Sequence, residues 1–161
     1  MEAGKAGYPF NAYSYDQRWT YEAETPQLLV LSSVTSSYTG GAHGMQSYAV
    51  GIWDRVGGTR IGSWDLFADR DAAAKALTPE WCGELNAERK RRREGQALGV
   101  FEDCPPITEQ TLVPVGSPKI MRFKLIAAPY VAGPYAEGTY EIWIDPTPAT
   151  PYIADAYKPS F

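Results

Sequence analysis

The sequence predicts an α+β fold in which a pair of helices packs on one face of a mainly antiparallel sheet. Segments that alternate apolar and polar residues lie on both sides of one helical region, an order typical of α+β domains. Glycine-rich turns between neighbouring strand segments favour antiparallel hairpins. The 161 residues, 44% of them hydrophobic, are enough for one domain with its own core.

Three strands are predicted between residue 27 and the helical region. Residues 27–35 carry leucine on both faces, which indicates burial on both sides at the start of this strand. Residues 46–54 form the next strand, and residues 60–64 form a short one after a hairpin turn at residues 55–59. Ahead of them, alternating aromatic residues indicate short strands: Tyr13, Tyr15, Trp19 and Tyr21.

Two consecutive helices are predicted in the middle of the chain. Asp69 or Asp71 caps a short helix that ends at Leu77. Residues 78–80, Thr-Pro-Glu, then read as a new helix start, with a capping hydroxyl, a proline at the first position and an acid in the first turn. The second helix extends to about Arg93.

The last third of the chain returns to strands. Residues 111–115, 119–127 and 139–145 are the predicted strands, and a proline-rich arm follows residue 146. The loop at residues 128–138 is rich in proline, tyrosine and glycine.

Charge and hydropathy exclude two classes of partner. The net charge is −4, and five consecutive cations at residues 89–93 leave the rest of the chain more acidic still. A nucleic-acid partner is not expected, because phosphate binding needs a broad basic footprint. We interpret the basic run as a solvated helical face at a helix C-terminus. No apolar stretch approaches the roughly 18 residues that cross a bilayer.

The two cysteines, Cys82 and Cys104, leave two interpretations open. They can form one disulfide, or they can be two buried free thiols. Their spacing fits no zinc or redox motif, so neither a metal nor a cofactor is predicted.

The most informative motif is Tyr38-Thr39-Gly40-Gly41-Ala42-His43-Gly44, which lies between two predicted strands. Its glycines predict a sharp and specific backbone bend. His43, the only histidine, is interpreted as a structural imidazole bonded to the backbone of the bend. The alternative is catalysis, with His43, Asp54 and Asp65 as acid–base residues and Glu141 close to them.

Four aromatic residues are candidates for an exposed binding ledge: Trp53, Tyr130, Tyr135 and Trp143. Aromatic faces bind sugars or anchor protein partners. Core packing is the competing use of the same side chains, and the residue types alone do not separate the two.

The order of three motifs resembles a bacterial family of extracytoplasmic domains of unknown function. The motifs are residues 38–44, Trp64-Asp65-Leu66-Phe67, and the loop with Pro129-Tyr130 and Pro134-Tyr135. The family includes the C-terminal domain of lysozyme-sensing anti-sigma factors and domains beside peptidoglycan deacetylases. The resemblance covers roughly residues 27–146. It implies a single domain at residues 27–161 with an extended C-terminal arm, and residues 1–26 as an N-terminal extension remaining from a longer portion.

The resemblance also carries expectations about function. It implies export to the periplasm or cell surface, with an anchor in some lipoproteins through a further N-terminal portion, and it favours a Cys82–Cys104 disulfide. It implies no established catalytic activity, and the leading hypothesis is a non-enzymatic domain that binds a lysozyme-like protein or a peptidoglycan fragment. The alternatives are a cell-wall hydrolase and a purely structural module. The predicted ligand-binding residues are Tyr38, Gly40, Gly41, His43, Tyr130 and Tyr135.

Overall fold

The computed structural model describes residues 12–97 and 99–161. Two antiparallel sheets and one long helix make up the fold, which confirms the predicted α+β class. The first sheet has the strand order β1-β2-β3-β4. Its strands are β1 (Ser14–Glu24), β2 (Leu28–Tyr38), β3 (Met45–Asp54) and β4 (Thr59–Ile61). The second sheet has the order β5-β6-β7. Its strands are β5 (Thr111–Val115), β6 (Arg122–Ala127) and β7 (Tyr140–Ile144).

A single helix, α1 (Arg70–Arg92), replaces the predicted pair. The sequence suggested a break at Thr78-Pro79, but the helix continues through Pro79. Thr78 does not cap a new helix, because its hydroxyl donates to the carbonyl of Ala74 at 2.7 Å. One unbroken stripe of buried residues explains the continuity: Leu77, Trp81 and Leu85 are each fully buried. Of the two predicted capping candidates, Asp69 is the N-cap, and it accepts from the backbone N–H of Ala72.

β1 is one strand of 11 residues rather than a set of short strands. It pairs with β2 from Ser14 opposite Tyr38 to Glu24 opposite Leu29, with an irregularity between Tyr21 and Ala23. Part of the segment predicted to be an N-terminal extension is therefore the outer strand of the first sheet.

The second sheet forms the centre of the core. In β6, five consecutive residues from Phe123 to Ala127 are buried, so both faces of this strand are covered. One side contains Phe123 and Leu125 beside Ile142 and Ile144 of β7. The inner face of the first sheet adds Leu28, Val30 and Ile52. Burying each such side chain stabilises the fold by about 1.5–3 kcal/mol.

The C-terminal segment closes the core. After β7 it forms 3-10 turns at Thr147–Tyr152 and Lys158–Ser160. The ring of Phe161 packs edge-on against Phe123, and the Ser160 hydroxyl lies 2.7 Å from that of Thr25. None of the helices in the described residues is long and apolar enough to cross a membrane.

Candidate functional site

The glycine–histidine motif forms a sharp bend between β2 and β3. Gly40 and Gly41 have φ of 97° and 98°, in the region that favours glycine, as the sequence predicts. The hydroxyl of Tyr38 donates to the carbonyl of Gly41 at 3.0 Å and ties the bend to the end of β2. The motif is therefore an ordered corner of the first sheet.

His43 lies at this bend and contacts the loop between β6 and β7. Its ring stacks on that of Tyr135, with centroids 3.7 Å apart and planes at 17°. Nδ1 lies 3.0 Å from the carbonyl oxygen of Gly44 and Nε2 lies 3.0 Å from the hydroxyl of Tyr130. A carbonyl oxygen only accepts, so Nδ1 carries the proton and, in neutral imidazole, Nε2 accepts from Tyr130. Both ring nitrogens are thus engaged.

Tyr130 is more exposed than His43 or Tyr135, with 50% of its surface accessible to solvent. Its φ is 71°, a conformation that a bulky residue rarely adopts and that is found where the surrounding structure imposes it. The backbone N–H of Tyr130 bonds to the carbonyl of Gly133, and the hydroxyl of Tyr135 donates to the carbonyl of Gly44 at 2.9 Å. We call His43, Tyr130 and Tyr135 the aromatic corner. It joins two loops that are distant in sequence.

Arg92 and Arg93, at the C-terminal end of α1, bind the loop that contains Tyr135. Nε of Arg93 lies 2.8 Å from Oε1 of Glu137, and the two side chains are only 5% and 14% exposed. Tyr140 donates its hydroxyl to the same carboxylate. Arg92 donates to the carbonyls of Glu137 and Thr139 at 2.6 and 3.0 Å. The hydrogen bond from Arg93 lowers the pKa of Glu137, while burial raises the pKa of Tyr140.

Arg89 ties three segments together and is only 3% exposed. Its guanidinium donates to the carbonyls of Ala132 and Asp103 at 2.9 and 3.0 Å and to the side chain of Asn86 at 3.0 Å. Burial lowers its pKa. The interpretation of residues 89–93 as a solvated face is therefore wrong for Arg89 and Arg93. The run of cations was visible in the sequence, but no local pattern showed which of them point inward.

The loop that receives Arg89 is fixed by the Cys82–Cys104 disulfide, which links it to α1. The indole N–H of Trp81 also donates to the carbonyl of Pro105 at 2.9 Å. This is the pairing that the implied export favours.

Asp54 lies far from His43. The two flank opposite ends of β3, a strand of ten residues that spans about 30 Å. The Asp54 carboxylate accepts from the backbone N–H groups of Val56 and Gly57 and from the hydroxyl of Tyr157. Its pKa is lowered, chiefly by the bond from Gly57. Asp54 is therefore a turn-forming residue of the hairpin.

Asp65 has a similar structural role, because its carboxylate accepts from the backbone N–H of Gly62 at 2.7 Å. Glu141 lies on β7 and is exposed. The convergence of His43, Asp54 and Asp65 that hydrolysis would need is not found. Within residues 12–97 and 99–161, no three His, Cys, Asp or Glu side chains gather as metal ligands would.

The four candidate ledge aromatics do not form one surface. Tyr130 and Tyr135 lie together, with centroids 5.6 Å apart. Trp53 lies next to Asp54, at the far end of β3, below the guanidinium of Arg60. Trp143 lies on the second sheet beside Arg122 and Lys124.

Known proteins resemble this chain in part of its sequence and in its fold. The sequence model of the family described as "Deacetylase PdaC" matches residues 1–46, which include β1, β2 and the glycine–histidine bend. No curated protein matches the chain.

Two solved structures share the fold. A DUF3298 family protein from Pseudomonas aeruginosa is 16% identical, with a TM-score of 0.66 over 89% of this chain and 63% of that one. A DUF3298 family member from Bacteroides fragilis is 22% identical, with a TM-score of 0.70 over 98% of this chain and 61% of that one. The chain thus spans about three fifths of either structure. These similarities confirm the predicted resemblance: residues 1–46 resemble a family described as a deacetylase, and the fold resembles that of DUF3298 family proteins.

Proposed function

We propose that this chain is a non-catalytic binding domain of the bacterial cell envelope and that the aromatic corner contacts its ligand. The observation that carries the proposal is the joining of three rings from two loops, His43, Tyr130 and Tyr135, into one ordered group in which Tyr130 is half exposed and the other two are partly buried. Tyrosine is enriched among the residues that dominate binding energy, since it combines a large apolar ring with a polar tip.

The rigidity of the corner supports binding. A surface that is already ordered loses little conformational entropy when a ligand arrives, which increases affinity. Hydrogen bonds hold each ring, and the Arg93–Glu137 pair fixes the short 3-10 turn that begins at Tyr135. Tyr130 has a backbone conformation that the surrounding structure imposes, and it is 50% exposed.

The positions of the carboxylates favour binding over hydrolysis. A general base must lie within hydrogen-bond reach of the group that it activates, directly or through one water. His43 uses both ring nitrogens within the corner, and Asp54 and Asp65 bond to the backbone of their own turns.

A location outside the cytoplasm is part of the proposal. Disulfides persist in oxidising compartments and are rare in the cytosol. The Cys82–Cys104 bridge anchors the loop that receives Arg89, so an oxidising environment would preserve the support of the corner. The ligand classes that follow from the resemblance are a lysozyme-like protein and peptidoglycan fragments.

The test is calorimetric titration of the chain with hen lysozyme and, separately, with soluble muropeptides. We expect one of them to bind and Tyr130→Ala to weaken its binding at least tenfold, as for a central aromatic contact. The matched control is Val56→Ala, since Val56 is 80% exposed in the hairpin at the opposite end of β3. Absence of binding to both ligands, or unchanged affinity of Tyr130→Ala, would overturn the proposal in favour of a structural module.

A further inference from the structure

Among the described residues, the outer edge of β1 is open along residues 14–21. β1 is the first strand in its sheet, and all eight residues from Ser14 to Tyr21 are exposed, on both faces. Its other end is covered, because the N–H of Gly116 donates to the carbonyl of Glu22. No residue of the described chain pairs with the outer edge of residues 14–21. A long exposed edge of this kind is a template for pairing with another strand.

One face of this strand is aromatic. Tyr13, Tyr15, Trp19 and Tyr21 are between 51% and 75% exposed, and only Gln17 interrupts the alternation. Together they expose on the order of 500 Å² if each ring can bury 150–250 Å². A stable interface buries about 800 Å² per partner, so this strip and the adjacent backbone approach what a dimer needs.

The opposite face of β1 has a symmetric order of charges. Asp16 and Arg18 flank Gln17, and Ser14 and Thr20 follow on either side. The same symmetry holds on the aromatic face, with Tyr15 and Trp19 and then Tyr13 and Tyr21. Residues at equal distances from Gln17 are thus chemically matched.

We propose that two copies of this chain pair through β1, antiparallel, with the two-fold axis at Gln17. In this register Tyr15 lies opposite the partner's Trp19, Asp16 lies opposite the partner's Arg18, and Ser14 lies opposite the partner's Thr20. Aromatic pairs and opposite-charge pairs directly across two strands stabilise a sheet. The two four-stranded sheets become one eight-stranded sheet through an isologous interface.

Charge selects this register over its neighbours. An axis moved by one residue places either two Asp16 or two Arg18 side chains directly opposite each other, and like charges in such positions are destabilising. A two-fold axis between two consecutive residues would pair odd-numbered positions with even-numbered ones. Since side chains alternate along a strand, aromatic residues of one face would then lie opposite charged residues of the other. Within one chain, Nε of Arg18 lies 2.9 Å from Oδ2 of Asp16. The two side chains are 78% and 55% exposed, so both remain available to a partner.

The experiment is sedimentation equilibrium of the chain and its charge-reversed variants at low salt. We expect the unmodified chain to form dimers. Asp16→Arg and Arg18→Asp each place like charges across the axis, so each alone should dissociate at least ten times more readily. An equimolar mixture of the two variants should dimerise again, because every pair across the axis is then opposite in charge.

The mixture distinguishes loss of pairing from loss of folding, since unfolded chains would not recover. The control variant is Lys75→Glu, an exposed reversal on α1 that should leave the dimer unchanged. A monomeric unmodified chain at about 0.5 mM, or a mixture that stays monomeric, would overturn the proposal. Assembly beyond a dimer would also overturn it, since a two-fold axis closes the interface.

Discussion

The two sheets share antiparallel pairing but differ in burial. β6, at the centre of the second sheet, has five consecutive buried residues, whereas β1 has eight consecutive exposed ones. The second sheet lies within the core and contacts α1, the first sheet and the C-terminal segment. We infer that the second sheet and the helix support the fold, and that the outer strand and one corner of the first sheet are available for recognition.

The ion pairs show the same difference. Arg93 and Glu137 are largely buried and fix the loop of the aromatic corner, while Asp16 and Arg18 are solvated on β1. A buried charge that loses its partner is strongly destabilising, but an exposed pair contributes little. Substitutions in the two regions should therefore differ in kind.

The largest expected effect comes from Arg93→Ala. It leaves the Glu137 carboxylate buried without its cation, so we expect a loss of about 3–5 kcal/mol in the free energy of unfolding. Urea denaturation measures this loss. The control is Lys90→Ala on the same helix, whose side chain is exposed and should change stability little. Equal effects of the two variants would contradict the division between supporting and exposed regions.

Removal of the disulfide should have the next largest effect. Cys82 and Cys104 are 22 residues apart, and closing a loop of this length stabilises a fold by about 3 kcal/mol. We expect a double Cys→Ser variant to lose about this much stability in urea denaturation and to unfold first around residues 101–110. Unchanged stability would mean that Trp81 and Arg89 fix this loop without the bridge.

A smaller effect, of opposite sign, is expected for Pro79→Ala. In a continuous helix, proline removes a backbone hydrogen bond and strains the preceding turn, so alanine should raise stability by about 1–3 kcal/mol. The control is Gly83→Ala, at an open position in the same helix, where a gain of up to about 1 kcal/mol is expected. A loss of stability for Pro79→Ala would indicate that the proline starts a second helix after all.

The smallest effect is a pH dependence at Glu88. Hydrogen bonds from Arg91, followed by those from Arg92, lower its pKa to about 2. Because the pKa is depressed in the folded state, the stability from this group is present above pH 4.5 and is lost as pH falls toward 2. NMR titration of its carboxyl carbon should give a midpoint near 2, and Arg91→Ala should raise it. A midpoint near 4.5 in the unmodified chain would contradict the ion pairs.

The sequence predicted the elements whose burial follows a regular pattern. β6 and β7 lie within the predicted segments, whereas β3 begins one residue earlier, at Met45, and β2 extends three residues further, to Tyr38. The bend at Gly40 and Gly41 was also predicted correctly, because glycine is the residue type that most readily adopts positive φ.

Long-range contacts explain what the sequence did not predict. Continuity of α1 through Pro79 depends on burial of Trp81 and Leu85 on the far side of the break. The burial of Arg89 depends on hydrogen bonds to the backbone carbonyls of Glu102 and Ala132, which lie 13 and 43 positions away in the sequence. Contact between His43 and Tyr130 spans 87 residues, which no local pattern could show.

The most direct test is hydrogen–deuterium exchange of the chain with and without the ligand that binds it, lysozyme or a soluble muropeptide. We predict added protection at residues 38–44 and 128–137, the two loops of the aromatic corner, with the second sheet unchanged. Protection confined to any other surface while these two loops exchange as before would contradict the assignment of recognition to the corner.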